Sequence, residues 1–266
     1  MSIRTTTYLK PIAQAGLVAK GIVYTLLGVL TFMAAFHING KSTRSTDKED
    51  VFAFVYQQTG GQILLGIIAL GLFSYCIWRG IQAISDSEHK GNKAKGLLSR
   101  ARYLLSGLVY GYMAVHVSCM LLSIKSSNSG DGKQEMAREM MNKPLGQWLV
   151  GLSAIILLGV GIYQIYYGLS EKYKKHVEKL GGTKSKQILW SAGKIGYTAR
   201  GMVWLMIAWL FAKAAFHENS SEAGGASKAF GQLHHMTFGP YLLAIMGVGL
   251  MCYGMFSFIR ARYENL

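Results

Sequence analysis

Negative charge is scarce in this chain. Asp and Glu number 13 against 28 Lys and Arg in 266 residues, and charged residues of both signs make up only 15%. Soluble chains carry about 25%, so the shortage already argues against a soluble globular domain. Proline occurs three times, and with 32 glycines the composition fits neither a collagen repeat nor a disordered linker. The cysteines are Cys76, Cys119 and Cys252, each inside an apolar stretch and none spaced as a pair. That argues against a disulfide framework or a thiolate zinc site and for cysteine as a small buried hydrophobe. Also missing are a phosphate-binding glycine loop, a nucleophile elbow and a zinc motif. No catalytic constellation remains, so the expectation is a non-enzyme without a cofactor.

What is present is hydrophobicity, at 51% of residues with a mean hydropathy of +0.24. A spanning helix needs about 20 apolar residues. Gly21 to Ile38, Val51 to Trp78, Tyr103 to Ile124, Pro144 to Ser170 and Met236 to Ile259 carry no charge. The fifth span is weaker, because Arg200 and Lys213 bracket only Gly201 to Ala212. Twelve helical residues cover about 18 Å of a roughly 30 Å core, so both cations are expected to snorkel outward from opposite ends. The fold class is therefore all-α integral membrane, with six transmembrane helices.

Charge sets the orientation. One side collects Arg4, Lys10, Lys20, Arg79, the run Lys90 to Arg102, the run Lys172 to Arg200, Arg260 and Arg262, giving 19 basic and 5 acidic residues. The other side takes the loops near 39–59, 125–145 and 213–237, with 9 basic and 8 acidic. The positive-inside rule makes the first side cytoplasmic, with both termini inside. Topology thus explains the high pI without a nucleic-acid partner, for which no basic helix or zinc motif speaks.

The chain repeats itself. Ala15-Gly16-Leu17-Val18-Ala19-Lys20-Gly21-Ile22-Val23-Tyr24 returns as Ile195-Gly196-Tyr197-Thr198-Ala199-Arg200-Gly201-Met202-Val203-Trp204. Ala101-Arg102-Tyr103-Leu104-Leu105-Ser106-Gly107-Leu108-Val109-Tyr110 is the middle copy, with Ser106 in place of the cation. Gly71 and Tyr75 correspond to Gly159 and Tyr163 and to Gly249 and Tyr253, while Gly61, Gly146 and Gly239 mark where each second helix begins. Three hairpins follow, at 12–84, 99–173 and 190–263. An even helix count per copy keeps them parallel, related about a pseudo-threefold axis along the membrane normal. Between the helices of each hairpin, Asp50 to Val55, Gln134 to Met141 and Ser227 to Leu233 have the spacing of short interfacial helices.

This pattern resembles the bacterial membrane family called domain of unknown function 1206. The match is clearest at Ile195 to Trp204 and Phe238 to Tyr253. The resemblance implies tandem two-helix repeats from about residue 12 to 262. It implies no substrate, cofactor or catalytic residue.

Three sets of candidate residues stand out. Gly21, Gly107, Gly111, Gly201, Gly247 and Gly249 are expected at helix contacts, because apolar burial gives membrane helices no mutual attraction and close approach must replace it. Lys20, Arg79 and Arg200 are expected at the inner interface, reaching for headgroups. His37, His116, His217, His234 and His235 lie toward the outer side, and His37 and His217 are repeat equivalents that could face a common axis. They are weak candidates for metal or haem, since neither His-Glu-x-x-His spacing nor a carboxylate partner is present.

Three functional readings remain. The first is a non-enzymatic structural or accessory component of the bacterial cytoplasmic membrane, packing with the bilayer, with itself or with another membrane protein. The second is a transporter or channel for a small or lipid-like solute along the repeat axis. The third, a haem- or metal-binding protein, rests on the histidines alone.

Overall fold

A computed structural model describes residues 3–38, 48–85, 94–122, 146–177, 183–217 and 222–263. Among them all regular structure is helical. In chain order the elements are α1 (Ile3–Ala35), α2 (Lys48–Tyr56), α3 (Gly61–Ile84), α4 (Ala94–Leu121), α5 (Gly146–Leu169), a 3-10 turn (Lys172–Val177), α6 (Thr183–Phe216), α7 (Ala226–His234) and α8 (Gly239–Tyr263). Six segments are long and apolar enough to cross a bilayer: Pro11–Ala35, Gly61–Ile84, Ser99–Leu121, Gln147–Leu169, Leu189–Phe216 and Gly239–Tyr263. This is the build of a multi-pass membrane protein.

The fifth segment, the weak one in sequence because Arg200 and Lys213 bracket only twelve residues, lies in a helix of 34 residues, α6, whose apolar segment begins at Leu189. Arg200 therefore lies inside the helix rather than at its end. Lys20 likewise lies well within Pro11–Ala35.

Apolar residues cover both sides of these helices, so packing rather than hydropathy decides which side is buried. In α3, Leu65, Ile68, Leu72 and Tyr75 are buried while Ile63, Ile67, Leu70, Phe73 and Ile77 are exposed. Each set recurs at intervals of three and four, as opposite faces of one helix must. A wet environment would penalise the second face; lipid accepts it. Hydroxyls within the spans bond back to their own helix, as Thr31 Oγ1 donates to Leu27 O at 2.7 Å and Ser118 Oγ to Ala114 O at 2.9 Å. Such back-bonds satisfy groups that lipid cannot.

Contacts divide the chain into two compact units. The first comprises Met1–Val23, Phe54–Ser126 and Ser257–Leu266, and the second Tyr24–Ala53 and Ser127–Phe256. In the first unit, Gly16 lies against Tyr75 so closely that a methyl group there would sit 2.5 Å from Tyr75 Cβ, and one on Gly71 would sit 2.5 Å from Ala19 Cβ. In the second unit the copies repeat this: a methyl on Gly196 would sit 2.6 Å from Tyr253 Cα, and one on Gly249 would collide with Ala199 Cβ.

The turns into α3 and α8 are also alike. Gly61 N–H donates to Gln58 O and Gly239 N–H to Met236 O, both at 2.8 Å. Side chains at these glycines would overlap Val55 O and Leu233 O respectively. The residue before Gly61, Gly60, takes φ of 76°, a left-handed conformation that favours glycine. Ahead of each turn stand α2 and α7, the two described members of the expected interfacial trio. They bury Phe52 and Phe230, at corresponding positions. The third member, Gln134 to Met141, lies outside the described residues.

Candidate functional site

In the first unit, α4 packs on α3 through Gly107, where a methyl would sit 3.2 Å from Arg79 Cβ, and Gly111, where it would sit 3.0 Å from Cys76 Sγ. Gly21 lies against the Phe258 ring. In the second unit, Gly161 and Gly201 bring α5 and α6 together; a methyl on either would lie about 3 Å from the other's carbonyl oxygen. Gly28 of α1 and Gly247 of α8 do the same, at 2.6 and 2.8 Å. Each of the six glycines singled out from sequence faces a neighbour. Gly28 and Gly161 join them: a methyl on Gly28 would also meet Met251 N at 2.6 Å, and one on Gly161 would meet Leu205 Cδ2 at 2.6 Å.

Cations and tyrosines form the most specific constellation. Lys20 is 4% exposed, and its ammonium lies 5.5 Å from the Tyr75 ring centroid and 5.8 Å from that of Tyr110. In the second unit the Arg200 guanidinium lies 4.8 Å from the Tyr253 centroid and 5.2 Å from that of Tyr24. The rings themselves meet edge to face, Tyr75 with Tyr110 and Tyr24 with Tyr253, each pair at 4.7 Å. By the repeat alignment Tyr24 and Tyr110 are equivalent, as are Tyr75 and Tyr253. One arrangement is thus built twice, from a cation, a tyrosine of its own hairpin and a tyrosine of another hairpin. Contacts within about 6 Å of a ring face are worth up to roughly 2 kcal/mol when desolvated, which offsets part of the cost of burying the charge.

The two cages differ in how the tyrosine hydroxyl is used. Arg200 Nη1 donates to Tyr253 Oη at 2.6 Å. In the first unit Arg79 Nε donates to Tyr75 Oη at 2.9 Å and Nη1 to Gln82 Oε1 at 2.6 Å, while Lys20 faces the ring. Arg79 also lies over Tyr103, 5.0 Å from its centroid. Lys20 and Arg200, expected to reach for headgroups, each lie against two tyrosine rings. Sequence reasoning missed Tyr24, Tyr75, Tyr110 and Tyr253 as partners, although each stands in a repeated segment.

The five histidines have different neighbours. His37, at φ 52° past the end of α1, stands edge-on to His234, with ring centroids 4.9 Å apart, and His235 lies 6.0 Å from His234. His217 instead engages Glu222, with Nδ1 3.1 Å from Oε2. The equivalent pair His37 and His217 is therefore divided between different partners. Glu222 is also the carboxylate that the sequence pattern did not reveal, and Lys213 Nζ reaches it at 3.4 Å. The His217 hydrogen bond and Lys213 beside it hold the Glu222 carboxyl below the ordinary carboxylate range. His116 lies in α4, 6.3 Å from the Tyr112 ring. Among the described residues no three His, Cys, Asp or Glu side chains group as metal ligands.

Comparison with known proteins adds three findings. The sequence profile described as Domain of Unknown Function (DUF1206) matches residues 15–86, 101–171 and 195–264. A protein of Bacillus subtilis (strain 168) described as "Uncharacterized protein YxxB" is 27% identical over 265 residues, covering 98% of this chain and 94% of its own. No solved structure matches.

Proposed function

The chain belongs to the domain of unknown function 1206 family, and from that premise we propose that it is a non-enzymatic structural or accessory component of the bacterial cytoplasmic membrane. Its termini lie in the cytoplasm, as the charge asymmetry asks. Its hairpins are related about a pseudo-threefold axis, and it works by packing with itself or with another membrane protein.

What carries this reading is the way the helices meet. Gly28 and Gly247, and Gly161 and Gly201, bring backbone against backbone, leaving no room at those junctions for a solute. Where cations enter the spans, tyrosine rings close over them. Both features spend small and aromatic residues on holding the helices, not on lining a path.

Reconstitution into liposomes tests it. Vesicles holding the full chain should release potassium, protons and small anions no faster than empty vesicles. Solute flux that rises with protein content and disappears on heat denaturation would overturn the structural reading in favour of transport.

A further inference from the structure

Where the chain passes from α5 to α6, the second unit contains a cavity of about 370 Å³ lined by Glu171, Lys174, Gln187, Trp190, Ser191 and Lys194. Its walls are built locally. Gly168 lies against Tyr197, Thr198 and the carbonyl of Lys194, so the end of α5 is pressed onto α6. Glu171 then turns the chain at φ 55°. Tyr173, in the 3-10 turn, is fully buried and donates from Oη to Trp190 O at 2.6 Å. Gly193 leaves the space its ring occupies. Burial pushes the Tyr173 phenol up to about 12, so this anchor stays protonated across the physiological range.

The charge of the lining is unbalanced. Lys174 and Lys194 bring two ammonium groups, Gln187 and Ser191 add an amide and a hydroxyl, and Glu171 is already engaged by Lys174. The Lys174 ammonium lies 4.2 Å from the Trp190 ring centroid. Trp190 Nε1 is buried with no hydrogen-bond partner, and a buried donor without an acceptor is costly. Two ammonium groups against one carboxylate leave the cavity net positive.

We propose that this cavity binds a phosphate-bearing anion, presented by an anionic phospholipid headgroup or as free phosphate. Its volume suits a small ligand, and basic pockets beside spanning helices recognise lipid phosphates. Lys194 is the principal cation, because Lys174 is shared with Glu171. The proposal goes beyond the structural role and does not depend on it, since binding is measured on the detergent-solubilised chain whether or not it conducts solute.

The full chain in neutral detergent is titrated with inorganic phosphate, with dihexanoylphosphatidylglycerol and with dihexanoylphosphatidylcholine, following tryptophan fluorescence. Trp190→Phe identifies the signal from this site. A saturable change with phosphatidylglycerol, absent in Trp190→Phe and about tenfold weaker in Lys194→Gln, is expected, since a hydrogen bond to a charged group is worth about that factor. Lys194→Arg should keep the affinity, which separates lost charge from lost folding. A response to phosphatidylglycerol but not to inorganic phosphate names the headgroup as the source; a response to both shows that phosphate alone suffices. No Trp190-dependent change with either probe, equal binding of phosphatidylcholine, or an unchanged affinity in Lys194→Gln would overturn the proposal.

Discussion

The first and third hairpins are built alike, and the middle one is not. Gly16 and Gly196 each press on the backbone of a tyrosine, but the corresponding middle residue is Arg102, which is exposed. Ala19 and Ala199 face Gly71 and Gly249, whereas their counterparts are Leu105, 61% exposed, and Gly159, beside which an added methyl would meet nothing within 4 Å. Tyr75 and Tyr253 are each 1% exposed; Tyr163 is 44% exposed. Ser106 replaces the cation. In the first and third hairpins the first helix offers small residues, so the second can approach, bury its tyrosine and bring it against a cation.

Four substitutions probe this contrast, beginning with the largest effect. Gly196→Leu must displace Tyr253 backbone, while Gly159→Leu meets open space. The first should cost about 3 kcal/mol, as overpacking does, and the second less than about 0.5 kcal/mol, as at ordinary surface sites. Unfolding in mixed micelles compares them, and equal losses would break the contrast between the hairpins.

Next, Lys20→Ser transplants the middle hairpin's residue into the first cage. It removes the ring contacts and the buried stem, so a loss of about 2 kcal/mol is expected. Ser106→Lys, the reverse change, should bring no gain in stability. A gain from Ser106→Lys comparable to the loss in Lys20→Ser would show that the middle hairpin has a cage after all.

A smaller effect belongs to the tyrosine hydroxyls. Tyr253→Phe deprives Arg200 of its 2.6 Å acceptor and should cost about 1.5 kcal/mol, typical of a hydrogen bond to a charged group. Tyr163→Phe should cost nothing measurable. Thermal shift in detergent distinguishes the two, and a larger shift for Tyr163→Phe would invert the comparison.

The smallest effect is at the outer end, where His217 has Glu222 and its equivalent His37 has a second histidine instead. The Glu222 carboxyl titrates below its ordinary value of 4.5 because His217 bonds it. Its contribution to stability is therefore present above that value and lost as pH falls through the lowered one. Glu222→Gln should flatten this acid limb slightly in a melting series against pH. An unchanged limb would mean that the pair adds nothing to folding.

Much of this architecture is legible in the amino-acid sequence. Long uncharged runs, the decapeptides at residues 15, 101 and 195, and the glycines at the start of each second helix specify helices, repeats and turns, because each is written locally. Gly247 and Gly249 stand out as contact residues for the same reason. The cages are harder to read. Tyr24 and Arg200 are 176 positions apart, and nothing near Arg200 announces that a ring from the first helix will cover it. Without that ring a charge reads as the end of a span, which is why the fifth helix looks too short in sequence. The partner exchange of His37 and His217 is hidden too, since Glu222 follows only one of them closely.

Gly28 and Gly247 meet across almost the whole length of the chain. During synthesis at about 5–20 residues per second, the first helix waits roughly 10 to 45 s before its counterpart is made. Through that interval the Gly28 surface rests against lipid or against whatever the insertion machinery offers, and Tyr24 has no Arg200 to cover. This junction between α1 and α8 can therefore close only after the ribosome has passed the final hairpin.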